Sequence, residues 1–218
     1  MDKTSYTVKF LQNILNIPSP SGYTHHAMKY LMDEAEKFGY ACELTPKGNL
    51  RIFVAGDKAD KIIGFCAHTD TLGLMVRSIK SNGNLAFTMV GGPQLATLDG
   101  EYCKIITRSK KLFTGTILST SPASHVFKDA ASSPRNEDAM EIRLDETVTC
   151  KADTEKLGIA NGDFIAISTK TKITDSGFVK SRFLDDKASV AVLMGVLKEL
   201  HDSKKAPKYN TEIIITAY

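Results

Sequence analysis

Apolar residues near the start of the chain recur at the spacing of an amphipathic helix. The pattern runs from residue 4 to residue 17, and Pro18 and Pro20 end it. A second helical pattern follows Ser21, which is a candidate N-cap, and stops at Gly39. The sequence therefore predicts a helix on each side of the two prolines.

Beyond Gly39 the spacing becomes that of strands. The stretch YACELTPKGNLRIFVAG contains a Lys47-Gly48-Asn49 turn between two strand-like runs, as in a hairpin. The later runs KIIGFCA and EIIITAY are nearly all apolar. Such runs are typical of parallel strands that are covered on both faces, so we expect both to lie inside a sheet.

The region between these two apolar runs differs in character. From about Leu72 to about Ile167, short β-rich segments alternate with turn-forming residues, which favours a small barrel or sandwich. A last helix begins near Asp185 and ends at Lys204 to Pro207. We therefore predict an α/β domain with a mixed, mainly parallel sheet and flanking helices, formed by residues 1–71 and 168–218. An all-β barrel over residues 72–167 interrupts it.

Composition and charge exclude some classes of function. The formal charge of +3 is small and the basic residues are scattered, so nothing indicates a nucleic-acid partner. No apolar run approaches the ~20 residues of a membrane-spanning helix, and the N-terminus has no signal-peptide pattern, so we expect a cytoplasmic protein. Cys42, Cys66, Cys103 and Cys150 form no C-x-x-C pair, which favours free, mostly buried thiols, although spacing alone leaves disulfides open.

The most informative short sequence is GFCAHTDTLG. Its His68 and Asp70 directly follow a predicted interior parallel strand, and ligands of α/β proteins bind beyond the carboxyl ends of such strands. The imidazole can bind a metal ion while the carboxylate fixes the tautomer and orientation of the ring. The alternative is a surface loop that carries a His and an Asp by chance, because H-x-D is a short and common pattern.

A second acidic cluster lies in KSRFLDDKASVAVLMGVL, where Asp185 and Asp186 stand at the start of the last helix. One interpretation is capping and favourable charge at a helix N-terminus, worth about 0.5–1 kcal/mol. The other is that one carboxylate spans two cations with its two oxygens, as in two-metal hydrolytic sites.

The segments AHTDTLG, SGFVKSRFLDDKAS and IIITAY, in this order, resemble the tetrahedral aminopeptidase family. These are glutamyl or deblocking aminopeptidases, cocatalytic zinc metallopeptidases that have also been described as endoglucanases. The resemblance covers essentially the whole chain and includes the stretches RLDE and LGIANGDF.

The resemblance assigns a role to each matching position. His68 matches a metal ligand, Asp70 matches the catalytic Asp that orients it, and Asp185 matches the carboxylate that bridges two metal ions. Asp186 matches a neighbour that is not a ligand, so capping suffices to explain it. Thr71 departs from the family, which often has an acidic residue there, and a local hydrogen bond is expected to differ.

The resemblance also implies a function and its requirements. The enzyme would remove N-terminal residues from peptides with two divalent cations, zinc or alternatively cobalt. The barrel over residues 72–167 would assemble homo-oligomers, from dimers up to dodecamers. In the family, the strand equivalent to IIITAY leads into a Glu-Glu pair that supplies the general base and a metal ligand, and later residues complete the site. Those positions are absent from these 218 residues, so we expect this chain alone to bind zinc weakly and to be inactive.

Two other interpretations stay open at this stage. A related two-metal exopeptidase or deacylase would use the same residues on another class of substrate. A non-catalytic oligomerisation or binding module would keep the barrel's assembly as its function and carry the metal-binding residues as relics.

Overall fold

The computed structural model describes residues 3–217, with side chains from residue 6 onward. The chain divides into two compact units. One comprises the chain up to Thr71 together with the chain from Thr169 onward, and the other comprises Leu72–Ser168.

Helices and strands follow one another along the described residues in a mixed α/β order. The helices are α1 (Lys3–Asn16), α2 (His25–Lys37), α3 (Lys151–Lys156) and α4 (Leu184–Ser203), with a short 3₁₀ helix at Leu95–Thr97. The strands are β1 (Ala41–Leu44), β2 (Leu50–Val54), β3 (Lys58–His68), β4 (Gly73–Ile79), β5 (Leu85–Val90), β6 (Glu101–Ile106), β7 (Leu112–Ser119), β8 (Met140–Leu144), β9 (Phe164–Ile167), β10 (Lys172–Ile173), β11 (Val179–Lys180) and β12 (Tyr209–Thr216).

The first unit contains a four-stranded sheet in the order β1-β2-β12-β3. β12 runs parallel to β3, whereas β1 with β2 and β2 with β12 are antiparallel. The prediction of a mainly parallel sheet is therefore wrong for the described strands. The reason is local: β1 and β2 form the predicted hairpin, closed by the bond from Gly48 N–H to the Thr45 carbonyl at 2.8 Å.

The two apolar runs are less enclosed than their composition predicts. Among the described strands only β12 pairs with β3, so β3 forms an edge, and Ile62 and Phe65 are 67% and 48% exposed. In β12, Ile213 and Ile215 are buried, but Ile214 between them is only half-buried. The sequence thus predicts the parallel pair correctly, while the expected cover on both faces is not seen among the described residues.

The core of this unit joins α1, α2 and α4 to the sheet. Alternate residues of β2 face it, and so does a stripe of α4 that includes Met194 and Leu197. α4 also approaches α1 closely at Gly195, where a Cβ atom would lie 2.4 Å from the Thr7 hydroxyl oxygen. This packing holds the start of α4 near the end of β3.

The second unit contains a closed six-stranded barrel in the order β4-β5-β8-β7-β6-β9. Its inward-facing side chains are buried, among them Phe87, Ile105, Ile117, Ile142 and Ile165. The alternating sequences predict this arrangement, because closure of an antiparallel sheet places every second residue inside.

Four thiols are free in the structure. Cys103 is buried and Cys42 is half-buried, but Cys66 and Cys150 are exposed, so the prediction of mostly buried thiols is wrong for these two. Burial raises the pKa of the Cys103 thiol to about 12, which keeps it protonated. Within residues 3–217, no helix has both the length and the apolar character needed to cross a membrane.

The connection between β2 and β3 provides a test of the fold. A Cβ atom on Gly56 would lie 2.2 Å from the carbonyl carbon of Tyr209 in β12, and both atoms belong to backbone. We expect Gly56→Ala to lower the free energy of unfolding by about 1–3 kcal/mol, because the strands must separate to admit the methyl group. Gly64→Ala is the control, since no described atom lies within 4 Å of its Cβ position. Equal thermal midpoints, followed by circular dichroism, would contradict this packing.

Candidate active site

His68 is the last residue of β3 and lies at the carboxyl end of the parallel strand pair. It is the register partner of Thr216 at the end of β12. The next residue, Thr69, donates its N–H to the Thr216 carbonyl at 3.1 Å. The strand pair therefore fixes the backbone on both sides of His68, as sequence reasoning expected from the position of the H-x-D pattern.

Residues 19–21, which we call the clamp, hold the loop that follows His68. The buried Ser19 hydroxyl donates to the Thr69 carbonyl at 2.7 Å. Thr71 donates its N–H to the Ser19 carbonyl at 2.8 Å, and Ser21 donates its N–H to the Thr71 carbonyl at 3.1 Å. Pro20 and Thr71 form an isolated parallel bridge. Both hydrogen bonds of Thr71 use backbone atoms, so the clamp does not depend on the side chain at this position.

Asp70 lies between the clamp and His68. Its Oδ1 is 3.1 Å from Nδ1 of His68, and its Oδ2 accepts a 2.5 Å hydrogen bond from the Ser21 hydroxyl. Only 14% of the Asp70 side chain is exposed. The approach of Oδ1 to Nδ1 is close but is not aligned as a hydrogen bond, and both atoms are enclosed. The structure thus places Asp70 where an orienting carboxylate is predicted.

The hydroxyl of Ser21 corrects a sequence prediction. α2 begins at His25, and Thr24 precedes it as the N-cap residue. Ser21 is therefore not the cap of this helix, and its hydroxyl contacts Asp70 instead. Local spacing could not reveal this contact, because the two residues lie far apart in sequence.

Asp185 approaches the other nitrogen of the His68 ring. Its Oδ1 lies 3.1 Å from Nε2, and its side chain is 95% exposed. The backbone at Asp185 and Asp186 is not helical, and Phe183 before them has a left-handed φ of 65°. The regular part of α4 thus starts after the two Asp residues, which places Asp185 over the end of β3.

The neighbouring Asp186 has a different partner. Its Oδ2 accepts the backbone N–H of His68 at 3.3 Å. Sequence reasoning explained this residue by capping of α4, and the contact with β3 was missed. The adjacent pair therefore holds His68 twice, by its ring and by its backbone.

Lys187 supports the site from inside the protein. The residue is 1% exposed, and its Nζ donates to the carbonyls of Ile14 at 2.9 Å and Ile17 at 2.8 Å. Burial lowers the pKa of this lysine to about 7. Ile14 lies in the last turn of α1, where its carbonyl also accepts the Ile17 N–H at 3.3 Å, and Ile17 directly follows the helix. Lys187 thus adds a donor where the last carbonyls of a helix lack their usual partners. Apart from the lysine that follows the Asp pair, no sequence pattern predicts this contact.

The electrostatics of the site are those of an imidazole between two carboxylates. Nδ1 faces Asp70 and Nε2 faces Asp185. The contact with Asp185 is aligned as a hydrogen bond, whereas Nδ1 and Oδ1 of Asp70 lie close together without such alignment.

The donor set fits part of a divalent metal centre. Nε2 of His68 and Oδ1 of Asp185 are both ligand types that zinc accepts. A catalytic zinc site uses three protein ligands, however, and within residues 3–217 no group of three or more His, Cys, Asp or Glu side chains is arranged to hold an ion. The described residues therefore bring together two side chains of the types that such a site uses.

The sequence model of the M42 glutamyl aminopeptidases matches residues 48–218. The chain belongs to the M42 glutamyl aminopeptidase family. The resemblance drawn from the motifs is thereby confirmed. Among M42-like relatives, the candidate aminopeptidase YhfE of Bacillus subtilis (strain 168) is 40% identical over 216 residues, which cover 99% of this chain and 62% of YhfE. The glutamyl aminopeptidase of Lactococcus lactis subsp. cremoris (strain MG1363) is 26% identical over 88% of this chain and 54% of its own length.

Solved structures agree on the fold of this M42 chain. Aminopeptidase APDkam598 of Desulfurococcus kamchatkensis has a TM-score of 0.87 at 20% identity, over 99% of this chain and 56% of its own. The TET1 peptidase of Pyrococcus horikoshii has a TM-score of 0.80 at 24% identity, and the match covers 96% of this chain and 60% of the TET1 chain. The chain thus spans from 54% to 62% of the length of these four proteins.

The contacts of Lys187 generate a test of this region. We expect Lys187→Met to lower the free energy of unfolding by about 1–3 kcal/mol, because the carbonyls of Ile14 and Ile17 each lose a buried donor. Lys205→Met is the matched control, since Lys205 is exposed at the end of α4. Denaturant unfolding of both variants measures the difference. An unchanged midpoint for Lys187→Met would contradict a role for the buried ammonium group.

Proposed function

We propose that the whole protein is a metal-dependent aminopeptidase that removes N-terminal residues from peptides, with two divalent cations, zinc or cobalt. Membership of the M42 family supports an enzyme of this type. The observation that carries the proposal is the convergence of Nε2 of His68 and Oδ1 of Asp185 at 3.1 Å beyond the end of a parallel strand.

Each residue of the site would have a distinct task. His68 and Asp185 would hold the cations, and Asp185 is exposed enough to reach a second cation with its other oxygen. Asp70, which is mostly buried, would keep the proton of His68 on Nδ1 so that Nε2 stays free to bind. The bound cations would supply Lewis-acid activation of water and of the scissile carbonyl.

The two units would then have separate functions. The unit with the four-stranded sheet, residues 1–71 and 168–218, would be the catalytic domain, and the barrel, residues 72–167, would assemble subunits. The P. horikoshii TET1 peptidase is described as assembling into a tetrahedron or a large octahedral shell, which supports a homo-oligomer here. A cytoplasmic location also stays a proposal, and four free thiols are compatible with it.

The 218 residues alone are proposed to bind zinc weakly and not to hydrolyse peptides. Within the described residues the site offers two metal ligands and lacks the third that a catalytic zinc uses. No carboxylate other than Asp70, Asp185 and Asp186 contacts His68 in the described part of the chain, so no further group is placed there to act as a general base.

An activity assay tests the metal assignment. The protein encoded by the complete open reading frame is assayed with aminoacyl-anilides after addition of cobalt or zinc. We expect His68→Ala to lose more activity than the roughly 100-fold that removal of an outer partner costs, because a metal ligand is lost. His201→Ala is the matched control, since this histidine lies at the other end of α4, where Nδ1 contacts the Phe38 carbonyl at 3.0 Å. Equal activity of His68→Ala and the unaltered protein would refute the assignment.

Analysis of the 218-residue chain tests the remaining part of the proposal. We expect substoichiometric zinc after dialysis and no release of anilide. Metal analysis and native mass measurement give the result directly. A stable, metal-free oligomer would favour a non-catalytic assembly module, whereas hydrolysis by this chain would contradict the proposed need for further ligands.

A further inference from the structure

We propose that Ser21 is a positioning residue, whose hydroxyl holds Asp70 in the orientation that prepares His68 to bind a metal ion. The inference rests on the proposed function, since it concerns how the same site is oriented before a metal ion binds. It adds a residue that lies before the matched region, which begins at residue 48.

The Asp70 carboxylate has two contacts that together limit its rotation. The terminal torsion of an aspartate is broad, so one contact does not fix which oxygen faces His68. Here each oxygen has a separate partner: Oδ1 lies 3.1 Å from Nδ1 of His68, and Oδ2 accepts the Ser21 hydroxyl at 2.5 Å. The second contact has the length of a strong O–H···O⁻ bond. Rotation of the carboxylate would break this bond, so Ser21 limits it.

Backbone hydrogen bonds on both sides of Ser21 fix the position of its hydroxyl. The backbone of Ser21 is held because its N–H donates to the Thr71 carbonyl at 3.1 Å. On the following side, Tyr23 donates its N–H to the Pro20 carbonyl at 2.7 Å, which closes a turn around Ser21. The hydroxyl is therefore attached to backbone that is bonded to the same loop as Asp70. Such preorganisation keeps the carboxylate in place before any ligand arrives.

The two carboxylates beside the His68 ring differ in their exposure to solvent. Only 14% of the Asp70 side chain is exposed, whereas Asp185 on the other side of the ring is 95% exposed. Water can therefore solvate Asp185 freely, but it cannot readily replace a lost donor to Asp70. The ring nitrogen on the buried side then depends on a protein group for its orientation.

A purely structural role for Ser21 predicts a different outcome from a positioning role. Its backbone hydrogen bond survives in any variant except proline, so the clamp stays intact in Ser21→Ala. If the hydroxyl served only stability, its removal would lower the melting temperature and leave metal binding unchanged. If it positions Asp70, metal affinity falls while the fold is preserved.

The experiment uses the protein from the complete open reading frame, stripped of metal and titrated with cobalt chloride by calorimetry. We expect Ser21→Ala to bind cobalt about 10-fold more weakly, at the lower end of the effect of losing an outer partner of a metal site. In the reloaded enzyme kcat falls and KM for an aminoacyl-anilide stays nearly constant, because the hydroxyl does not touch substrate. Ser21→Thr keeps the hydroxyl and restores both values.

Further variants make each outcome decisive. Ser21→Cys has nearly the size of serine but a weak donor, so it should lose affinity even if Ser21→Ala folds poorly. Ser203→Ala, which removes an exposed hydroxyl at the end of α4, is the control that should bind cobalt normally. Unaltered affinity in Ser21→Ala and Ser21→Cys, beside a loss in His68→Ala, would overturn the role of Ser21 alone. Unaltered affinity in His68→Ala would overturn the metal assignment itself.

Discussion

The site depends on the parallel hydrogen bonding between β3 and β12. These strands come from the two separate segments of the first unit, and their register places His68 beside Thr216. The bond from Thr69 N–H to the Thr216 carbonyl extends the pairing beyond the last strand residue. β12 also pairs with β2, but among the described strands only β12 pairs with β3, so without this pairing the strand that ends at His68 would lose its neighbour in the sheet.

Two remote segments then converge on that strand end. The clamp at residues 19–21 holds the loop that carries Asp70, the start of α4 brings Asp185 to the ring of His68, and Asp186 bonds the backbone of the same histidine. Each segment uses a backbone contact as well as a side chain. The arrangement is therefore rigid at the protein side of the imidazole and open at the side that faces solvent.

The sequence predicts those features that are local. The helical spacing, the Lys47-Gly48-Asn49 turn and the alternating barrel strands all correspond to observed elements, because each follows from neighbours along the chain. His68, Asp70 and Asp185 were also predicted, and the structure brings them together. The contacts of Ser21 with Asp70 and of Lys187 with α1 join distant residues, and spacing alone carries no information about them. The prediction of a mainly parallel sheet is wrong for a related reason: an apolar run identifies a strand but not the strands that pair with it.

The clamp and the buried ammonium of Lys187 have a consequence for the evolution of this chain. Both tie residues 14–21 to the site, although the region shared with the family model starts only at residue 48. A gene shortened at its 5′ end would keep His68, Asp70 and Asp185 and still lose the contacts that residues 14–21 make with Asp70 and Lys187. Selection on the site should therefore also act on residues 14–21. Substitutions there should accumulate more slowly than in an N-terminal extension that makes no such contacts.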